Sequence, residues 1–441
     1  MSDAPRKRSW LPRVRYSLRT LVIGVLLIGS GMGLWWKWEP WVVERTYQKE
    51  AAVTCGAFSG DGELLAFGCA DGSVEVWDAN GRGRHVSLSG HTGWVQSLAF
   101  PREGSRLLTA SRDGTARLWD AKGGGLLHVF DPGNGLVCAA ALSPDGSRIV
   151  TGSWDGFDRI WNVSGPMAGT RRSSGGSIAM WDAATGEKKL SLGGHSDDVY
   201  SICFAPDGQR FMTTSADRTA RIWDLATGKT LVVLAGHSAE VWAGGFSPDG
   251  ERAVTGGWDK SIRVWDSTTG QEVLRLTGNR DEVWSTEFSR DGKLVVSASS
   301  FTEPQVWDAA LGTERGLGPT HSVRFFMTVH ERHPWSAAIS HDGSRVAGAG
   351  DSDNARVWSA ESGELLAETP ATWRQYVDAV VFSPDDRRLL VRGASALVWL
   401  RRRPEYWWGV AWLAEFWLTV VFAGAFVWSV WRDRRTLPIA D

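Results

Sequence analysis

The chain has 441 residues, 43% hydrophobic and 22% charged, so its bulk is globular and not disordered. Four Cys exclude a disulfide-built scaffold, and they form no CxxC or Cys/His pairing that suggests zinc; 51 Gly and 27 Trp are out of line. Basic residues collect at the ends. Residues 21–400 hold 36 basic and 45 acidic side chains, a net of −9, which argues against nucleic acid as a partner.

Residues 1–19 read as a basic N-terminus with Arg6, Lys7, Arg8, Arg13, Arg15 and Arg19 against Asp3. Thr20–Trp36 then runs 17 residues without a charge, close to the shortest stretch (~17–25) that spans a bilayer. Trp35, Trp36, Trp38 and Trp41 follow as interfacial aromatics do. The rival reading is a cleaved signal peptide, with Leu21–Ile28 as its apolar part and Gly29-Ser30-Gly31 as its small residues. The apolar run continues past that point into the aromatic belt, so residues 20–38 are taken as a transmembrane helix, or uncleaved signal anchor. The preceding basic residues favour a cytoplasmic N-terminus, which sends the body of the chain outside.

From residue 42 to 400 the chain repeats. Trp-Asp or a near variant closes a strand-like run at Trp77, Trp119, Trp161, Trp181, Trp223, Trp265, Trp307, Trp358 and Trp399, with 42 residues as the dominant interval. In phase with it, a hydrophobic residue precedes Ser-Pro-Asp-Gly or a relative at Phe58, Phe100, Leu142, Phe204, Phe246, Phe288, Ile339 and Phe382, giving eight units. Period-two runs rich in β-branched residues lie between the markers, and Asp-Gly pairs supply the positive φ that tight hairpins need. Each unit reads as four short antiparallel strands, which bury both faces only when stacked against neighbours.

Three units carry a fuller set: Gly90-His91 with Thr109, Asp113 and Trp119; Gly194-His195 with Thr213, Asp217 and Trp223; and Gly236-His237 with Thr255, Asp259 and Trp265. On these markers the chain resembles the WD-repeat β-propeller family, and its uniform units are similar to those of bacterial members. The resemblance implies an all-β fold, a single eight-bladed propeller of four-stranded antiparallel blades, with partners bound on one face. A His-Thr-Asp set also resembles a nucleophile, base and acid. A hydrolase has one such set, whereas this one recurs at equal spacing, so the tetrads read as scaffold: Asp holds His, His bonds Thr, Thr bonds Trp. No catalytic residue, metal or cofactor is expected.

Other units depart from the pattern. Phe67 replaces Thr before Asp71, Phe301 replaces Asp before Trp307, and Leu400 follows Trp399. In the third unit Phe157–Asn162 has the spacing of a third strand, yet the run around Trp181 matches that around Trp223. A loop carrying a partial strand duplication covers both facts. Cys55 and Cys69 fall on one hairpin and could pair, although burial as small apolar residues is the commoner role.

The last unit lacks an outer strand, and Val42–Gln48 has no unit of its own, so the expectation is that this segment closes the ring. A second hydrophobic stretch follows. Residues 405–431 form a second transmembrane helix, with Tyr406–Trp431 as its apolar part between Arg401–Arg403 and the short basic tail 432–441. Glu415 reads as lying near the interface, or as protonated against the other helix. Two spans make a membrane protein of the bacterial inner membrane, with the propeller extracytoplasmic. Both helices would leave one blade at the face of the Asp-Gly turns.

The opposite face collects aromatics. Tyr200, Trp242, Trp284 and Trp335 sit near the start of the innermost strand in four successive units; Trp94 lies two positions earlier in its own, and Trp154 and Trp258 precede turn aspartates. They are either a partner-binding face or inter-blade packing. The expected function is a membrane-anchored, non-catalytic protein–protein interaction scaffold. The alternative, suggested by other eight-bladed propellers, is a channel face that binds a ligand or cofactor, as a sensor or enzyme.

Overall fold

The structure, a computed structural model, describes residues 41–48, 51–79, 85–101, 104–133, 135–154, 176–279, 281–299, 304–315, 336–348, 355–368, 377–393 and 396–402. Both expected membrane segments, Trp161, Trp335 and Glu415 lie outside them. Among the described residues no helix is long and apolar enough to cross a membrane.

The described strands form eight four-stranded antiparallel sheets, each built from strands consecutive in sequence except one. We number these blades by their innermost strands: Val53–Phe58, Val95–Ala99, Leu136–Leu142, Val199–Phe204, Val241–Phe246, Val283–Phe288, Ala337–Ile339 and Val377–Phe382. Second strands such as Arg106–Ser111 and Arg210–Ser215 are buried at every position after the first. Neighbouring blades cover both of their faces, so these strands are apolar or hydroxyl-bearing throughout instead of alternating. Outer strands such as Thr230–Ala235 alternate and leave Leu231 and Val233 exposed.

The core is divided among the junctions between blades. One cluster joins Val76 and Leu88 of blade 1 to Leu107 and Trp119 of blade 2. Another joins Val150 and Met180 of blade 3 to Phe211 and Trp223 of blade 4. A corresponding cluster puts Leu390 of blade 8 against Val53, Leu65 and Phe67 of blade 1, so the last sheet packs on the first. The exceptional sheet is blade 8. Its outer strand is Trp41–Gln48, paired antiparallel with Ala396–Arg402 from Trp41↔Arg402 to Gln48↔Ala396. The segment that the sequence assigned to ring closure occupies that place. Arg401 in turn pairs with Arg388, which follows the turn between first and second strands. The described fold therefore begins and ends side by side, at the face of those turns.

The third unit resolves the competition between Trp161 and Trp181. The third strand of blade 3 is Ile178–Asp182, paired with Arg148–Gly152 on one side and Lys188–Leu192 on the other. Residues 155–175 fall between second and third strands and outside the described residues. Cys55, Cys69, Cys138 and Cys203 are all free thiols.

An arginine clamp, unrecognised from sequence, recurs on the turn face. The guanidinium of Arg106 donates to Gly146 O (3.0 Å), Arg210 to Gly250 O (2.9 Å) and Arg252 to Gly292 O (2.8 Å). Each arginine opens a second strand and reaches the first turn of the following blade.

Candidate functional site

The tetrads form as chains of short hydrogen bonds. His91 Nδ1 lies 2.8 Å from Asp113 and its Nε2 lies 2.7 Å from Thr109 Oγ1, which accepts the Trp119 indole N–H at 2.9 Å. In blade 4 the distances are 2.8 Å for His195–Asp217, 2.8 Å for His195–Thr213 and 2.8 Å for Trp223–Thr213. In blade 5 they are 2.9 Å for His237–Asp259, 2.8 Å for His237–Thr255 and 2.8 Å for Trp265–Thr255. A carboxylate only accepts, so the imidazole donates from Nδ1 and takes the threonine proton at Nε2. Burial pulls the His91 pKa down against the pull of Asp113, in keeping with a neutral ring. Burial opposes ionisation of Asp217, but its bonds from His195 and Thr219 outweigh that and hold its carboxyl well below the usual range.

The threonines decide between scaffold and nucleophile. Thr109, Thr213 and Thr255 are each 0% exposed. Each oxygen is held between an imidazole and an indole N–H inside its blade, and none lies at the surface. Degenerate units keep parts of the same logic. Trp307 donates to Ser297 Oγ (3.1 Å), which donates to Asn279 (3.2 Å), with Ser and Asn standing for Thr and His. In blade 1, where Phe67 displaces Thr, the Trp77 indole turns to Glu75 (3.1 Å), which also meets His85 at 2.9 Å.

The strand-start face is built on bulges. In seven blades the ladder between first and second strands slips after the first valine, at Val53/Cys55, Val95/Ser97, Val137/Ala139, Val199/Ser201, Val241/Ala243, Val283/Ser285 and Val377/Ala379. A bulge re-aims the extra side chain away from the ladder. The residues so displaced include Thr54, Gln96 and Cys138 on one side and Tyr200, Trp242 and Trp284 on the other. Burial pushes the Cys138 thiol up to about 12, so it is no nucleophile at neutral pH.

The aromatic residues meet across blades. Ring centroids are 5.9 Å apart for Trp154–Tyr200, 4.1 Å for Tyr200–Trp242, 5.5 Å for Trp242–Trp258, 4.9 Å for Trp242–Trp284 and 5.3 Å for Trp258–Trp284. One continuous arc thus crosses blades 3 to 6. All five rings are half-buried. The two sequence readings of these residues therefore merge: they pack between blades and still present surface. Trp94 stands apart from the arc, with the Arg112 guanidinium 4.8 Å from its ring centre. Trp335 lies outside the described residues. Among the described residues no three His, Cys, Asp or Glu side chains gather as metal ligands would.

Carboxylates accompany the arc and were missed as a pattern. The Tyr200 hydroxyl donates to Glu240 at 2.7 Å. Burial and the neighbouring Asp281 push the Glu282 carboxyl up, while Asp281, against its own burial, is held low by hydrogen bonds from Glu282 and by Lys260, 3.4 Å away.

A ring-stacked series of small antiparallel sheets, tied internally by indole–hydroxyl–imidazole chains, defines a repeat protein of the β-propeller type. The family model for the WD domain, G-beta repeat, matches residues 41–78, 84–120, 124–162, 186–224, 228–266 and 270–302, and the chain belongs to the WD-repeat family. The third match ends in the undescribed segment, short of Ile178–Asp182, the third strand of blade 3. Coronin-7 of Mus musculus is 36% identical over 45 residues, which covers 10% of this chain and 5% of that protein. A crystal structure of the computationally designed Ika8 protein superposes with a TM-score of 0.63 at 24% identity, covering 80% of this chain and 97% of that one. That likeness speaks for the fold alone.

Proposed function

We propose that this protein is a non-catalytic protein–protein interaction platform: an eight-bladed WD-repeat propeller tethered to a bacterial inner membrane by helices at 20–38 and 405–431, with its body on the extracytoplasmic side. The WD-repeat family generally serves in protein–protein scaffolding, and burial of the tetrad threonines supports reading those sets as scaffold. The observation that carries the reading is the arc Trp154–Tyr200–Trp242–Trp258–Trp284 on the face of strand starts. Large half-buried aromatics crossing several blades are the residue type that dominates binding hot spots. The described fold begins and ends on the opposite face, where Trp41 pairs with Arg402.

Proximity labelling from the intact membrane protein tests this, with a Trp242→Ala/Trp284→Ala variant alongside. The reading predicts a set of labelled proteins that the variant loses while its melting temperature stays near that of the parent. An unchanged set would refute the arc as the binding face.

A further inference from the structure

We propose that the outer edge of blade 4, Thr230–Ala235, takes an extended, carboxylate-bearing segment of a partner protein as a fifth strand. The site is separate from the aromatic arc and does not rest on it. Thr230–Ala235 ends its four-stranded sheet, so one row of its backbone N–H and C=O groups faces no strand among the described residues. Such a row is a template for another chain, and proteins commonly blunt it with charge. Most outer strands here follow that rule: Lys188 lies in that of blade 3, Arg275 in blade 5, Arg315 in blade 6, Glu368 in blade 7 and Arg45 in blade 8. The edge of blade 4 reads Thr-Leu-Val-Val-Leu-Ala, without an ionisable group. Leu231 is 52% exposed and Val233 43%, and alternation along the strand puts them on one side.

A second observation says what the segment brings. Arg221 in blade 4 and Arg263 in blade 5 hold the same place in their third strands, paired with Val233 and Arg275 of the outer strands. Both have a buried Nε without a hydrogen-bond acceptor. In blade 5 the terminal nitrogens of the guanidinium are met: Glu272, the outer-strand residue paired with Trp265, lies 2.5 Å from Arg263, and Asp259 lies 3.7 Å from it. In blade 4 the residue paired with Trp223 is Thr230, and Arg221 has no ion pair among the described residues. The acid that blade 5 carries on its own edge is missing from the edge of blade 4.

Directly paired residues point to the same side of a sheet, so Arg221 shares a side with Leu231 and Val233. The occupant is therefore an extended segment with apolar side chains at alternate positions and Asp or Glu among them. Its backbone fills the ladder, its apolar residues cover Leu231 and Val233, and its carboxylate makes charge-assisted hydrogen bonds with Arg221. A second copy of Thr230–Ala235 would fill the ladder but brings no carboxylate. The edge of blade 2, Leu126–Phe130, is the nearest in character, yet there His128 bonds Ala184 O of blade 3 at 2.9 Å and Arg117 keeps Asp113 at 4.0 Å.

The test uses the full chain and a labelled, end-blocked heptapeptide, Thr-Val-Thr-Glu-Thr-Val-Thr, in which Val, Glu and Val share one side. Three controls replace Glu by Gln, or N-methylate alternate backbone amides in one phase or the other. Fluorescence anisotropy follows binding, and amide hydrogen exchange read by mass spectrometry locates it. The expected result is saturable binding that protects Thr230–Ala235 and not Glu272–Thr277, is roughly fivefold weaker with Gln, and is lost in one methylation phase only. Arg221→Gln is expected to bring the Glu peptide to the affinity of the Gln peptide and leave the Gln peptide unchanged. Leu231→Asn/Val233→Asn is expected to weaken both peptides severalfold at the melting temperature of the parent. No saturation, equal binding of the Glu and Gln peptides, indifference to methylation in both phases, or protection confined to another blade overturns the proposal. A dimer of the chain that sediments as such and is lost in Leu231→Asn/Val233→Asn would make a second copy the occupant, and overturns it as well.

Discussion

Glu287 is a carboxylate in a place that disfavours its charge. It sits on the innermost strand of blade 6, and its Oε1 accepts the backbone N–H of Ile339 in blade 7 at 2.8 Å. Burial pushes its carboxyl up from an ordinary 4.5 to about 7, more than that single bond can offset. A raised acid binds its proton more tightly folded than unfolded, so the folded state loses stability as pH rises from about 4.5 through about 7. Each tenfold in proton affinity is about 1.4 kcal/mol, so the full loss is about 3 kcal/mol above that range. Glu287→Gln keeps an oxygen for Ile339 and removes the titration. The variant should match the parent near pH 4.5 and exceed it by about 3 kcal/mol at pH 8. Urea unfolding of parent and variant across pH 5–8.5 measures the gap. A gap that stays constant with pH, or that shrinks as pH rises, would refute the reasoning.

Two further substitutions probe the scaffold. Arg210→Ala removes bonds to Gly250 O and Ser267 Oγ, each at 2.9 Å, and should cost about 2 kcal/mol in unfolding free energy. A cost under a few tenths would make the clamp incidental. Arg218 holds φ at 70° in the turn where Asp71-Gly72 and Asp113-Gly114 place glycine. Arg218→Gly should therefore raise stability by roughly 0.5 kcal/mol, since only glycine enters that region without crowding its Cβ; a loss of stability would count against it.

Much of the architecture was legible because the repeat is written in several markers at once. Blade number, tetrad membership and the closing strand all follow from spacing, and the tetrads are local enough for spacing to imply contact. What spacing could not supply was register. A bulge is a slip between two strands and leaves no compositional trace, so the common displacement of Tyr200, Trp242 and Trp284 appears only in the ladders. The arginine clamps were hidden for another reason: Arg106, Arg210 and Arg252 open strands beside turns, where a charged residue reads as solvated. Trp161 and Trp181 both stood as candidates because the six-residue distance from Asp155 to Trp161 fits the pattern; pairing with Arg148–Gly152 selects Ile178–Asp182. In blade 1 the exchange of Thr for Phe67 is compensated by Glu75 from the tryptophan's own strand, a partner that the repeat's pattern does not name.

Closure by the first strand carries the rest, because it sets which blade ends the ring and where the described fold begins and ends. Thr46 and Val398 are paired Cα neighbours in blade 8, and facing residues of an antiparallel pair lie about 4.5–5.5 Å apart, within disulfide reach. Under mild oxidation Thr46→Cys/Val398→Cys should form an intramolecular link, found by mass spectrometry as joined peptides from a monomeric band, with a higher melting temperature. Peptides that stay separate, or a link formed only between two chains, would contradict the closed ring.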